Sequence, residues 1–175
     1  MQDNKKGSRY TFDSFEITKE NNKAFEKAKQ FAENADSEPL AIFGVTATGK
    51  THLLYAVKNA IEQNSSGLNV ILTTTADMVS SLTSIINNGG TAEQFREKYL
   101  QADVLLVDDI QELAEKEKTQ NELILLFNAF YESGKRFMMT SSLKEVHHGL
   151  KERLISRAFW GDHAEISKSY VQVKY

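Results

Sequence analysis

Residues 40–51 read Leu40-Ala41-Ile42-Phe43-Gly44-Val45-Thr46-Ala47-Thr48-Gly49-Lys50-Thr51. The first four are apolar and stop at a glycine, as a strand buried on both faces does. The next eight fit G-x-x-x-x-G-K-[S/T], and beyond them Leu53, Leu54, Ala56, Val57, Ala60 and Ile61 recur at helical spacing. The pattern therefore lies between a strand and a helix, where its chemistry operates. Glycines let the backbone curl until its N–H groups converge on phosphate oxygens, and the helix N-terminus adds positive partial charge. Gly44, Thr46, Ala47, Thr48 and Gly49 are the expected cradle of a nucleotide. Lys50 is expected on the β and γ phosphates and the Thr51 hydroxyl on Mg2+.

Working outward, Ala24, Phe25, Ala28, Phe31 and Ala32 mark an amphipathic helix within 18–34, closed by Asp36, Ser37 and Pro39. Downstream, 69–75 is β-rich, and 77–100 holds two weaker helical patterns divided by Asn87-Asn88-Gly89-Gly90. Val104–Val107 reads as a second buried strand, 122–131 as a helix, and 136–140 as a strand ending in hydroxyls. Residues 145–157 are expected to be helical apart from Gly149, and a last strand to lie within 164–173. Alternating strands and helices with nearly continuous apolar strands imply a three-layer αβα sandwich around a parallel sheet of about five strands. Its ligand crevice belongs at the C-terminal ends of the strands.

The composition fits one domain, expected over 10–175 behind a polar, mobile lead of residues 1–9. Of 175 residues 41% are hydrophobic, and no apolar run approaches a membrane span, so a cytoplasmic protein with no membrane partner is expected. The absence of Cys excludes disulfides, thiolate metal cages and a Cys nucleophile. A net charge of −3 argues against a surface that grips nucleic acid wholesale and leaves room for a local basic patch. His147 and His148 are adjacent and point apart, and His52 and His163 have no carboxylate at ligand spacing, so ordinary histidines are expected rather than a metal centre.

The Val104 run ends in Asp108-Asp109. In a parallel sheet these carboxylates emerge at the same edge as the phosphate loop. Asp108 is then expected to hold the Mg2+ shell and Asp109 to orient or deprotonate an attacking water.

With these residues in place, the chain resembles the AAA+ ATPase module of the bacterial DnaA initiator family. Tyr10-Thr11-Phe12-Asp13-Ser14-Phe15 is similar to that family's opening segment, Gly49-Lys50-Thr51-His52 to the end of its phosphate loop, and Val107-Asp108-Asp109-Ile110-Gln111 to its second acidic motif. Glu152-Arg153-Leu154-Ile155-Ser156-Arg157 and Trp160-Gly161 are similar to its box of trans-acting arginines. The likeness runs from about Tyr10 to about Ile166. It implies the P-loop AAA+ fold, ATP or ADP with Mg2+ as ligands, His52 within the nucleotide motif, and Phe15 and Ile17 near the adenine. It also implies that Arg153 and Arg157 reach a neighbouring subunit's nucleotide, so the implied partners are other initiator subunits, either copies of this chain or a longer family member. Lys116 and Lys118, with Val79 as an apolar counterpart, match positions that hold single-stranded DNA.

The resemblance also has gaps. Ser142 stands where the family carries a sensor Asp, in the sequence Thr140-Ser141-Ser142-Leu143; a hydroxyl can still bond a phosphate or a water but brings no charge. The family's helical lid and duplex-reading domain have no counterpart before Tyr175, so no recognition of double-stranded DNA is expected and hydrolysis is expected to be slow. Those gaps suggest a chain able to cap an initiator filament. The competing expectation is a regulator or helicase-loader relative that docks on an initiator or helicase and uses nucleotide as a structural ligand.

Overall fold

In the computed structural model, which describes residues 7, 9–65, 67–142 and 148–168, the deciding stretch is a strand, a loop and a helix. Strand β1 is Leu40–Gly44 and helix α2 is Lys50–Asn64, preceded by α1 at Asn22–Glu33. The chain continues through β2 Val70–Thr74, α3 Thr75–Asn87, α4 Ala92–Leu100 and β3 Val104–Asp108. A 3-10 turn at Ile110–Leu113 leads into α5 Glu117–Glu132, β4 Arg136–Ser141, α6 Glu152–Ala158 and β5 Asp162–Ile166. The five strands are parallel in the order β2-β3-β4-β1-β5.

Why the strands read as unbroken apolar runs is visible in the packing. Leu40, Ile42, Val104, Leu106 and Met138 point to the face covered by α1 and α2, where Phe25, Ala28, Phe31, Leu53, Leu54, Val57 and Ile61 meet them. Ala41, Phe43, Leu105, Val107, Phe137 and Met139 point to the opposite face, against residues of α3, α4, α5 and α6. Both faces are covered, so alternation disappears from the sequence. Truncating a central residue such as Leu106, fully buried in β3, costs about 2–5 kcal/mol by this kind of packing.

Local chemistry sets the element ends. The Thr74 side chain accepts the N–H of Asp77 at 3.1 Å and so starts α3 with no linker after β2. Thr91 and Gln94 bond each other's backbones in a capping box that starts α4, which explains why two weak helical patterns both form. The Arg136 guanidinium, buried at the start of β4, donates to the carbonyls of Phe31 at 3.0 Å and Ala32 at 3.2 Å, closing the C-terminus of α1 with a cation.

Two elements differ from expectation. The helix expected over 145–157 is found only from Glu152; 148–150 are bends, and 143–147 lie outside the described residues. Gly149 has φ +71, and its carbonyl accepts the Glu115 N–H at 3.1 Å and the Gln120 side chain at 3.0 Å, so this stretch is pinned to the chain after β3 and cannot wind. The last strand begins at Asp162 rather than Ala164 and ends at Ile166; 169–173 lie outside the described residues, as do residues 1–6 and 8 of the expected lead. Among the described residues no helix is long and apolar enough to cross a membrane.

Candidate functional site

Strands β1 and β3 lie on either side of β4, so the phosphate-loop sequence and the Asp108-Asp109 pair open at one sheet edge. The loop turns through Ala47 at φ +62 and Gly49 at φ +99. Gly49 could not carry a side chain, because a Cβ there would stand 2.9 Å from the Phe15 ring. The Thr48 hydroxyl donates to the Val45 carbonyl at 2.8 Å, and Thr46 and Ala47 form the exposed crest. Lys50, 5% exposed, donates through Nζ to the carbonyls of Gly44 at 2.6 Å and Val45 at 2.9 Å, which places its ammonium inside the loop. Burial lowers the pKa of that ammonium, against the opposing pull of Asp109 and Asp108.

The hydroxyl of Thr51 donates to Asp108 Oδ2 at 2.7 Å across 57 residues of sequence. Asp108 is 3% exposed, and its other oxygen, Oδ1, accepts from the Thr140 hydroxyl. Burial pushes this carboxyl above the usual carboxylate range, and the Thr140 and Thr51 hydroxyls hold the rise in check. A hydroxyl and a carboxylate side by side are hard oxygen donors, the set that suits Mg2+ with its remaining positions left to water and phosphate. Among the described residues no group of three or more His, Asp or Glu side chains converges on a metal position of its own.

Asp109 is held from all sides. Its backbone is left-handed, φ +60, a conformation that costs a non-glycine residue about 1–2 kcal/mol. Its N–H donates to Thr140 Oγ1 at 3.0 Å, its carbonyl accepts from Thr75 Oγ1 at 2.7 Å, and Oδ1 accepts from Gln111 Nε2 at 2.9 Å. Gln111 Oε1 in turn accepts the Ser142 N–H at 3.2 Å. Ser142, matched to the sensor position, thus joins the site through its backbone and Gln111. Thr140 is the residue of this network that motif reading misses, whereas Gln111 closes the second acidic motif and the structure adds its bond to Asp109. The signal for Thr140 was the register: Val107 pairs with Met139, so the next step sets Asp108 beside Thr140.

The remaining expected residues fall in three places. Phe15 is buried against Gly49, whereas Ile17 is half exposed. The His52 imidazole lies against the 10–15 segment, with Nε2 2.8 Å from the Thr11 carbonyl oxygen. Arg153 and Arg157 lie on α6: Arg153 is exposed, and Arg157 is half-buried, with Nε donating to Asn128 Oδ1 at 3.2 Å. Beside them Phe159 stacks on Phe43 at 4.7 Å, and Trp160, 56% exposed, meets the edge of Tyr131. Val79, Lys116 and Lys118 come together along a cavity of about 360 Å³ between α3 and the start of α5, with Glu115 and Glu117 also on its wall.

Comparison with known proteins agrees with this fold. A family model described as the bacterial DnaA ATPase domain matches residues 6–165. The chromosomal replication initiator protein DnaA of Levilactobacillus brevis is 38% identical over 170 residues, 95% of this chain and 37% of the relative, so the chain spans little more than a third of that protein's length. Domain III of the Thermotoga maritima replication initiation protein DnaA superposes with a TM-score of 0.86 at 34% identity, covering 90% of this chain and 67% of that one. A replication initiator DnaA bound to AMPPCP and single-stranded DNA gives 0.84 at 34% identity, covering 92% and 50%. The DnaC helicase loader, 18% identical with a TM-score of 0.75 over 93% of this chain and 98% of its own, shares the fold.

Proposed function

The chain belongs to the bacterial DnaA ATPase-domain family, and from that premise we propose that it binds ATP or ADP with Mg2+ and acts in replication initiation through nucleotide-dependent assembly with other initiator subunits. The observation that carries the reading is the 2.7 Å bond between Thr51 and Asp108, which brings the end of the phosphate loop and the second acidic motif to one point beside the buried Lys50. Lys50 exchanges its loop carbonyls for phosphate oxygens, and the N–H groups at the start of α2 supply further donors. Mg2+ would neutralise charge between the phosphates, held by the Thr51 hydroxyl and the Asp108 carboxylate. Asp109, fixed by Gln111 and Thr140, is placed to orient a water for slow hydrolysis.

The one acidic residue of α6, the exposed Glu152, is next to Arg153 in sequence and more than a turn from Arg157, and a guanidinium suits a neighbour's phosphates because it stays charged and spreads that charge. A head-to-tail contact of this kind closes into rings or extends into filaments. Two defective chains test it. Lys50→Ala lacks the phosphate contact and keeps its arginines; Arg157→Ala binds nucleotide and lacks the trans contact. By sedimentation with MgATP neither should associate alone, and an equal mixture should form pairs. A mixture that stays monomeric while the wild type associates would rule out the trans role.

Single-stranded DNA is the second proposed partner, supported by the shared groove of Val79, Lys116 and Lys118. Glu117 on that wall already lies 3.6 Å from Lys151, which lessens its opposition to a phosphate backbone. Removing each lysine should lower the salt dependence of binding by about one released ion. An unchanged slope in both variants would place DNA elsewhere.

A further inference from the structure

One face of α2 carries a set of contacts that neither the core nor the phosphate loop uses. The core contacts of this helix come from Leu53, Leu54, Val57 and Ile61. His52, Tyr55 and Asn59, three and four residues apart, form a separate stripe. Along this stripe lies the segment 10–15. Asn59 Nδ2 donates to the Tyr10 carbonyl at 2.8 Å, and the Tyr10 ring packs on Tyr55 at 5.6 Å and on His52 at 4.9 Å. His52 makes the tie nearest the loop. A carbonyl oxygen only accepts, so the 2.8 Å contact with Thr11 O requires the proton on Nε2, and Ser14 Oγ lies 3.3 Å from the same nitrogen.

The strap is a rigid piece. Thr11 Oγ1 accepts the Ser14 N–H at 3.1 Å and Ser14 Oγ accepts the Thr11 N–H at 3.0 Å, closing the turn on itself. Holding Thr11 and Ser14 therefore fixes Phe15, the next residue. The Phe15 ring lies edge-on to His52 at 5.0 Å, stacks on Phe25 at 5.7 Å, and reaches Gly49 on the loop side. On the expectation that Phe15 lies near the adenine, a nucleotide whose phosphates sit in the loop would bring its base and sugar to this border, with Phe15 and the strap as the wall.

Given the nucleotide reading above, on which this rests, we infer that His52 is a positioning residue: it latches the 10–15 strap to the start of α2 and thereby sets the nucleoside end of the site without touching the phosphates. Two ligands separate this role from a general one, MgATP and magnesium tripolyphosphate, which has the phosphates and no nucleoside.

His52→Ala should weaken MgATP about tenfold, the scale of one lost hydrogen bond with the packing around it, and leave tripolyphosphate within about twofold. His52→Gln, whose side-chain N–H reaches nearly as far as Nε2, should restore most of the MgATP affinity. In hydrogen exchange, amides 10–15 of His52→Ala should lose protection while 44–51 keep theirs. Equal losses for both ligands, or unchanged MgATP affinity with a protected strap, would overturn the latch. A wild-type chain that binds neither ligand would instead reject the nucleotide reading itself.

Discussion

The corner between β1, β3 and β4 and the outer side of α6 both carry the charges expected of function, and they are built in opposite ways. At the corner Lys50, Asp108 and Thr140 are buried and bonded within this chain, and Asp109 is gripped through its N–H, carbonyl and carboxylate. On α6 Arg153 is exposed, Arg157 has Asn128 as its side-chain partner on α5, and Trp160 stands in solvent. A site that acts on its own ligand is organised in advance, since donors fixed by a buried network need no rearrangement when charge arrives. Groups meant for a second molecule are left to be desolvated at the contact.

The largest break in this contrast comes from Asp109. Asp109→Asn keeps the size and the Gln111 neighbour and removes the carboxylate proposed to orient the water, so whatever ATP hydrolysis the chain performs should fall by about 100-fold or more in single-turnover assays. Nucleotide affinity should change little, because Lys50 and Thr51 remain. Hydrolysis persisting at wild-type rate would take Asp109 out of the chemistry.

Next is Thr140→Val, which keeps the shape and deletes the hydroxyl shared by Asp108 and the Asp109 N–H. Leaving two buried groups short of a partner should cost about 1–3 kcal/mol in denaturant unfolding. Arg153→Ala on α6 should stay within about 0.5 kcal/mol of wild type in the same experiment. Comparable losses at the two positions would erase the distinction between the regions.

A smaller effect, and a sharper one, is expected from pH. Because burial raises the Asp108 pKa, the folded chain holds that proton more tightly than the unfolded chain. The stability this group contributes is present below the unfolded value and is lost as pH rises through the raised folded value. Asp108→Asn removes the ionisation. Without nucleotide the variant should melt higher than wild type in neutral buffer, by a margin that shrinks on acidification. A margin independent of pH would mean that the carboxylate carries no burial penalty.

Much of the fold could be read from the chain because its strands are covered on both faces: Leu40–Phe43 and Val104–Val107 are uniformly apolar, and their lengths show where the sheet lies. The strand, loop and helix of 40–64 were equally legible, since the pattern that marks them is contiguous. Thr140 was not, because its role arises from the register between β3 and β4 and from no spacing along the chain. The same holds for the turn before α6. A 3.6-residue pattern pointed to helix over 145–157, and the bonds from Glu115 and Gln120 to Gly149, made between distant segments, prevail at that glycine. His52 was legible as part of a motif, and its contact with Thr11 was not.

Calorimetric titration of MgATP into wild type, Lys50→Ala and Arg157→Ala tests the central division between a site complete in one chain and a surface completed by another. Wild type and Arg157→Ala should bind one nucleotide per chain with closely similar affinity, and Lys50→Ala should give no binding heat. Equal binding by wild type and Lys50→Ala would contradict the account.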